Sequence, residues 1–175
     1  MTQDKNSYSY EYKIQAADSD MWRRLRISIM LRLFQDASIE HTEYLGYKTE
    51  KTLERGFLWV IARTSVSISR LPDYDETIRI VTWPGSMMRI LYPRFYAIED
   101  LSGNTLVTSA SIWTLIDKNK RTPVRPSESN VIINGSDTRD ALPLPHDFKT
   151  QCELRCTTRH SRYSDLDLNG HVNNI

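Results

Sequence analysis

Ile27-Ser28-Ile29-Met30-Leu31-Arg32-Leu33-Phe34-Gln35-Asp36-Ala37-Ser38-Ile39-Glu40-His41-Thr42-Glu43-Tyr44-Leu45-Gly46 decides the fold, because its apolar positions follow the period of a helix. Ile27, Met30, Leu31, Phe34, Ala37, Ser38, His41 and Leu45 recur at spacings of three and four, which places them on one stripe. Ser28 reads as the N-cap and Gly46 as the C′ residue that stops the helix. Ile29 and Leu33 interrupt the opposite face, so the helix is apolar around much of its circumference. Such a helix needs other structure wrapped around it. His41, on the stripe, reads as a hydrogen-bonded core histidine rather than a catalytic one.

Working outward, nearly everything else in the first two thirds of the chain reads as strand. Before the helix, Tyr8, Tyr10, Tyr12 and Ile14 alternate with Ser9, Glu11 and Lys13, the period of a strand with one buried face. After it, Phe57 to Ser69 begins as an apolar run and ends in alternation. Leu71-Pro72-Asp73-Tyr74-Asp75-Glu76 has the chemistry of a turn. Thr77 to Trp83 is closed by Pro84-Gly85; Arg89 to Ile98 is a further strand, joined by a hairpin at 99–104 to Thr105 to Ile116. In that last strand Val107, Ser109, Ser111, Trp113 and Leu115 oppose Leu106, Ala110, Ile112 and Ile116. One long helix followed by four or five antiparallel strands is an α+β layout, a curved sheet around a central helix.

The length of 175 residues suits one domain or one and a small part. With 39% hydrophobic residues, disorder is excluded as the main state. No apolar run reaches the roughly 18 residues of a membrane span, and Met1 to Ser7 lacks the apolar region of a signal peptide, so a cytoplasmic location and no membrane partner are expected. A net charge of +1 is far from the basic balance of a nucleic-acid binder, so no nucleic-acid partner is expected. Cys152 and Cys156 are four apart in a stretch that reads as strand. Their Cα atoms would lie about 13 Å apart there, too far for a disulfide. They read as semi-buried small side chains; no metal site is expected.

From 118 to 148 the character changes: Pro123, Pro126, Pro143 and Pro145, with Gly135 and several Ser, Asn and Asp, indicate a linker crossing the surface. Beyond it the opening pattern returns. Strand followed by Asp18-Ser19-Asp20 is echoed by strand followed by Asp165-Leu166-Asp167, so residues 149–175 read as the start of a second copy of the unit in 1–117. That copy is expected to be cut off at Ile175.

In Asp167-Leu168-Asn169-Gly170-His171 a carboxylate, an amide and an imidazole occupy every second position, and alternate side chains of an extended segment point to one side. His171 can take a proton from water near neutral pH, Asp167 can hold its tautomer, and Asn169 can orient water or donate to an oxyanion. The same residue types also suit an Asx-rich turn capping a helix, with His171 a solvated loop residue.

Tyr163-Ser164-Asp165-Leu166-Asp167-Leu168-Asn169-Gly170-His171-Val172-Asn173-Asn174 resembles the signature of the acyl-ACP thioesterase family. Leu33-Phe34-Gln35 with His41, Trp59 to Arg63, Thr82-Trp83-Pro84, Arg94-Phe95, and Ser111 to Asp117 followed by Arg121-Thr122-Pro123 occur in the family's order. The resemblance implies tandem hotdog domains, with the acyl chain held mainly in the first and Asp167, Asn169 and His171 as the catalytic residues of the second. Aligning the two D-x-D motifs sets Asp20, Trp22 and Arg24 opposite those three, so the first copy should bind and pack. The family places a further acidic residue, activating the attacking water, downstream of the motif and past Ile175. The implied activity is hydrolysis of fatty acyl-ACP thioesters without a cofactor. Alternatives are a hotdog acyl-CoA thioesterase and a non-catalytic acyl-binding module.

Met30, Phe34, Trp59, Trp83, Met87 and Met88 are candidates for an acyl tunnel, since flexible Met and flat aromatics line apolar cavities, although each also suits ordinary core. Arg23, Arg24, Arg26 and Arg32 cluster near the helix start, where they read either as a docking surface for an acidic acyl carrier protein or as a solvated face. A homodimer through paired helices is a further expectation.

Overall fold

The computed structural model describes residues 2–147 and 157–165, which fall into two compact units divided after Pro145. The larger unit contains a six-stranded antiparallel sheet in the order β1-β2-β4-β5-β6-β3, formed by Thr2–Gln3, Tyr8–Lys13, Phe57–Ile68, Thr77–Pro84, Leu91–Asp100 and Thr105–Asp117 as β1 to β6 in chain order. The long helix, Ile27–Tyr44 (α1), packs on β2 and β4. Its seam buries Met30, Leu33, Phe34 and Ala37 against Ile78, Ile80, Tyr96, Ile98 and Val107. This is the expected α+β hotdog.

The helix begins one position before Ser28. Its cap is Arg26, which makes no side-chain capping bond; Ser28 lies inside the first turn. The chain enters the helix held by backbone instead, with Leu25 N–H donating to Pro72 O (2.8 Å) and Arg26 N–H to Asp18 O (2.9 Å). Gly46 follows the C-cap Leu45 with φ +96°, a left-handed position suited to glycine. A short helix, Thr49–Glu54 (α2), not anticipated from the sequence, follows it; a third, Pro126–Ser129 (α3), lies beyond β6.

Direct cross-strand neighbours put side chains on a common face. Arg94 opposes Ser111, which opposes Thr64, and Tyr96 opposes both Ser109 and Thr82. Arg94, Tyr96 and Thr82 thus lie on the α1 side. The other face of β4, β5 and β6 presents Val81, Trp83, Phe95, Ala97 and Ala110, with Leu142 and Leu144 packed against them. Of the stretch expected to be a linker, 118–148, residues 118–145 are laid along this unit and bury Val124, Val131 and Ile133.

Candidate functional site

Thioester chemistry was assigned from sequence to Asp167, Asn169 and His171, and all three lie outside the described residues, as do Cys152 and Cys156. The turn that leads to them is described, and it matches the first copy atom for atom. In the first copy Gln15 N–H donates to Asp18 Oδ2 (2.9 Å) while Asp18 N–H donates to Gln15 O (3.0 Å). In the second, Arg162 N–H donates to Asp165 Oδ2 (2.8 Å) while Asp165 N–H donates to Arg162 O (3.0 Å). Both close a single 3-10 turn, Ala16–Asp18 and Tyr163–Asp165. The first aspartate of each D-x-D is therefore a capping residue. Asp18 also accepts from Tyr12 Oη (2.7 Å), and Asp20 accepts from the backbone of Trp22 and Arg24 (2.9 Å each), so both carboxylates of the first copy serve the scaffold.

One pocket of the first unit opens between the C-terminal half of α1 and the sheet. It is half open and apolar, about 480 Å³ with its mouth included, and is walled by Ile39, Trp59, Pro84, Tyr92, Trp113 and Ile133 among others. Trp59 meets Tyr92 edge-on at 4.9 Å between centroids. Of the six acyl-tunnel candidates, Trp59 lines this pocket. Met30 and Phe34 sit deeper in the seam between α1 and the sheet, Phe34 stacked on Tyr96 at 4.7 Å. Met87 packs beside Tyr92 and Leu115. Met88 is exposed, and Trp83 occupies the opposite face of the sheet, its indole N–H donating to Asp140 O (3.0 Å). The structure does not bring these six into one cavity.

At the pocket wall lies a buried polar cluster, in which the sequence reading named His41 as a core histidine and Thr82 and Arg94 only within segments of the family resemblance. Arg94, 4% exposed, comes from the middle of β5, and its Nη1 donates to His41 Nδ1 (3.2 Å) and Thr82 Oγ1 (3.3 Å). Its Nη2 donates to Thr42 Oγ1 (3.1 Å). With Nδ1 accepting, His41 carries its proton on Nε2 and donates it to Asp4 O (2.8 Å). Burial first, then the Arg94 charge, lowers the His41 pKa to about 4, so the ring is neutral. Burial lowers that of Arg94 to about 10, which still leaves it charged at neutral pH. The signal for Arg94 was a lone cation amid a strand of apolar residues.

The arginines expected to form a docking face are exposed at Arg23, Arg24 and Arg26. Arg23 lies over the Tyr74 ring (5.1 Å) and Arg24 over that of Trp22 (5.5 Å), Arg26 Nη2 donates to Ala17 O, and Arg32 reaches Asp18 (3.8 Å). Met21 and Trp22, 83% and 64% exposed, add apolar surface beside them.

Known proteins share this fold. A solved acyl-ACP thioesterase from Bacteroides thetaiotaomicron superposes with a TM-score of 0.83 at 23% identity, covering 99% of this chain and 71% of that one. A 12:0-ACP thioesterase from Umbellularia californica gives 0.69 at 21%, covering 96% and 70%. These establish the fold. Among curated proteins, a chloroplastic acyl-[acyl-carrier-protein] hydrolase of Cuphea viscosissima is 26% identical over 99% of this chain and 45% of its own length. An oleoyl-acyl carrier protein thioesterase of Coriandrum sativum is 24% identical over 100% and 53%. The chain spans about half the length of the curated relatives it matches. The model of the acyl-ACP thioesterase N-terminal domain matches residues 5–131. Because that match runs over more than half of the sequence, the chain belongs to the acyl-ACP thioesterase family.

Proposed function

We propose that this chain carries the acyl-binding unit of an enzyme that hydrolyses fatty acyl thioesters of acyl carrier protein in fatty acid biosynthesis, and the start of its hydrolytic unit. The observation that carries the reading is an apolar pocket on the helix side of the unit that matches the family's N-terminal domain. The acyl chain lies in that pocket, against Trp59, with Met30 and Phe34 packed in the seam beyond it. Trp83, Met87 and Met88 act on it through the packing of the sheet and its flanking loops.

The reaction adds one water across the thioester bond. His171 takes a proton from the water as its oxygen bonds to the acyl carbonyl carbon, Asp167 stabilises the resulting imidazolium, and Asn169 donates to the oxyanion. Collapse breaks the carbon–sulfur bond, and the phosphopantetheine sulfur leaves with the proton returned by His171. Acid and thiol are the products. A thiolate departs without metal assistance, so the step calls for no cofactor.

The carrier protein, which is acidic, docks on Arg23, Arg24 and Arg26, where Met21 and Trp22 supply an apolar centre to a basic rim. Among the described residues no helix is long and apolar enough to cross a membrane. We place the enzyme in the cytoplasm, without nucleic-acid partners. A homodimer, expected from the sequence through paired helices, is placed here at the β3 edge instead, which exposes Val60, Val66 and Ile68.

The test is thiol release from dodecanoyl-ACP and dodecanoyl-CoA by the whole gene product that carries these residues. The expected result is turnover of the carrier thioester in preference to CoA, a fall of about 100-fold or more in kcat with His171→Ala, and a salt-dependent rise in KM when Arg23 and Arg24 are reversed to Glu. Turnover unchanged by His171→Ala overturns the mechanism; equal use of both thioesters overturns the carrier assignment.

A further inference from the structure

The pocket is better supplied with donors than with acceptors. Arg94 lines it, as does Thr42, whose hydroxyl accepts from Nη2 and so sets that edge of the guanidinium at the pocket wall. Among the described residues Arg94 makes no ion pair, and its acceptors are all neutral: an imidazole nitrogen and two threonine hydroxyls. A guanidinium does not lose its charge at neutral pH, and charges buried to this degree are ordinarily paired. His41 cannot answer it, being neutral with Nε2–H committed to Asp4 O. The second observation is independent. Trp59 Nε1 is buried with no hydrogen-bond partner, and Trp59 lines the same pocket. A hydrocarbon tail alone leaves the Arg94 charge without a counter-ion and the Trp59 N–H without an acceptor, at the cost that attends an unpaired buried charge or polar group.

We propose that this pocket binds free fatty acids, with the carboxylate paired to Arg94 and the hydrocarbon along Trp113, Pro84 and Ile133, while Trp59 offers a further donor to the same ligand. The inference rests on the reading of the pocket as the acyl site. It adds a regulatory consequence: the acid enters this pocket carboxylate first, the reverse of a thioester whose carbonyl reaches the hydrolytic residues, so bound acid occupies the space of the acyl tail and the enzyme is inhibited by the acid it releases. A bidentate pairing of guanidinium and carboxylate suits Arg rather than Lys at this position.

The experiment is calorimetric titration of the chain with dodecanoate and with dodecan-1-ol, which have the same length and differ in the charged head. The acid is expected to bind about tenfold tighter or more, a typical gain for a charge-assisted bond. Arg94→Met is expected to remove that preference while keeping alcohol binding, which also shows that the variant is folded. Trp59→Phe should weaken the acid more than the alcohol. Equal affinity for acid and alcohol in the unaltered chain overturns the inference and leaves the acyl reading standing; binding of neither overturns both. Persistence of the acid preference in Arg94→Met overturns the assignment to Arg94. Displacement of dodecanoate by millimolar inorganic phosphate would reassign the subsite to a phosphate, overturning the carboxylate.

Discussion

Two buried groups, His41 and Arg94, are explained only together. An imidazolium beside a buried guanidinium would set two like charges in contact without water, so the histidine yields its charge and becomes the acceptor. Stability should follow. Folding depresses the His41 pKa from its ordinary 6.5 to about 4, so between these values the unfolded chain binds a proton that the folded chain refuses. The folded state is therefore undisturbed by this residue above about pH 6.5 and progressively penalised as the pH falls towards 4. Subtracting the unfolding free energy of His41→Gln from that of the unaltered chain should give a difference that declines over this window, by up to about 1.4 kcal/mol per pH unit. A difference independent of pH would show that His41 is not held neutral. His41 was legible as a core histidine from its place on the helical stripe. A lone cation among the apolar residues of β5 marked Arg94, but its pairing with His41 was not legible, because that is a property of the helix-to-sheet contact.

Among elements, β6 was read with its two alternating faces, although both are buried from Ser109 to Ile112, and β4 was not. β6 alternates, and Val107, Ser109, Ser111, Trp113 and Leu115 share the face toward the helix as their spacing implies. β4 does not: Ile80, Val81, Thr82 and Trp83 are all buried, so nothing in the sequence says that Thr82 looks toward α1 and Trp83 away from it. The cover on the outer face, Leu142 and Leu144, comes from a Pro-rich stretch whose scattered apolar residues have no period to reveal a partner. α2 was hidden for a similar reason, since Thr52 is its one buried residue. Where β4 gives way to the next loop, Gly85 donates its N–H to Pro93 O (2.9 Å), and a Cβ there would lie 2.8 Å from both the Phe95 ring and Pro93 Cβ. Gly85→Ala should therefore destabilise the unit by about 1–3 kcal/mol, the range for overpacking, in urea unfolding. An unchanged midpoint would mean that the β4–β5 contact is looser than described.

Seen whole, the chain repeats itself in a four-residue turn: Gln15 to Asp18 and Arg162 to Asp165 make the same reciprocal bonds around an aspartate. The two copies then diverge in residue type, toward Trp22 and Arg24 in one and toward Asn169 and His171 in the other. Under the proposed function that divergence means hydrocarbon binding in the first unit and hydrolysis in the second, and the proposal stands or falls with the pocket beside α1. Ile39 is half-buried at its wall and points to the direct measurement. In the whole gene product, Ile39→Trp should cut kcat/KM for dodecanoyl-ACP by about tenfold or more, on the scale of hydrophobic pocket discrimination, while butanoyl-ACP is turned over as before. A chain-length profile identical to that of the unaltered enzyme, from a variant with an unchanged melting temperature, would place the acyl chain elsewhere and contradict the account.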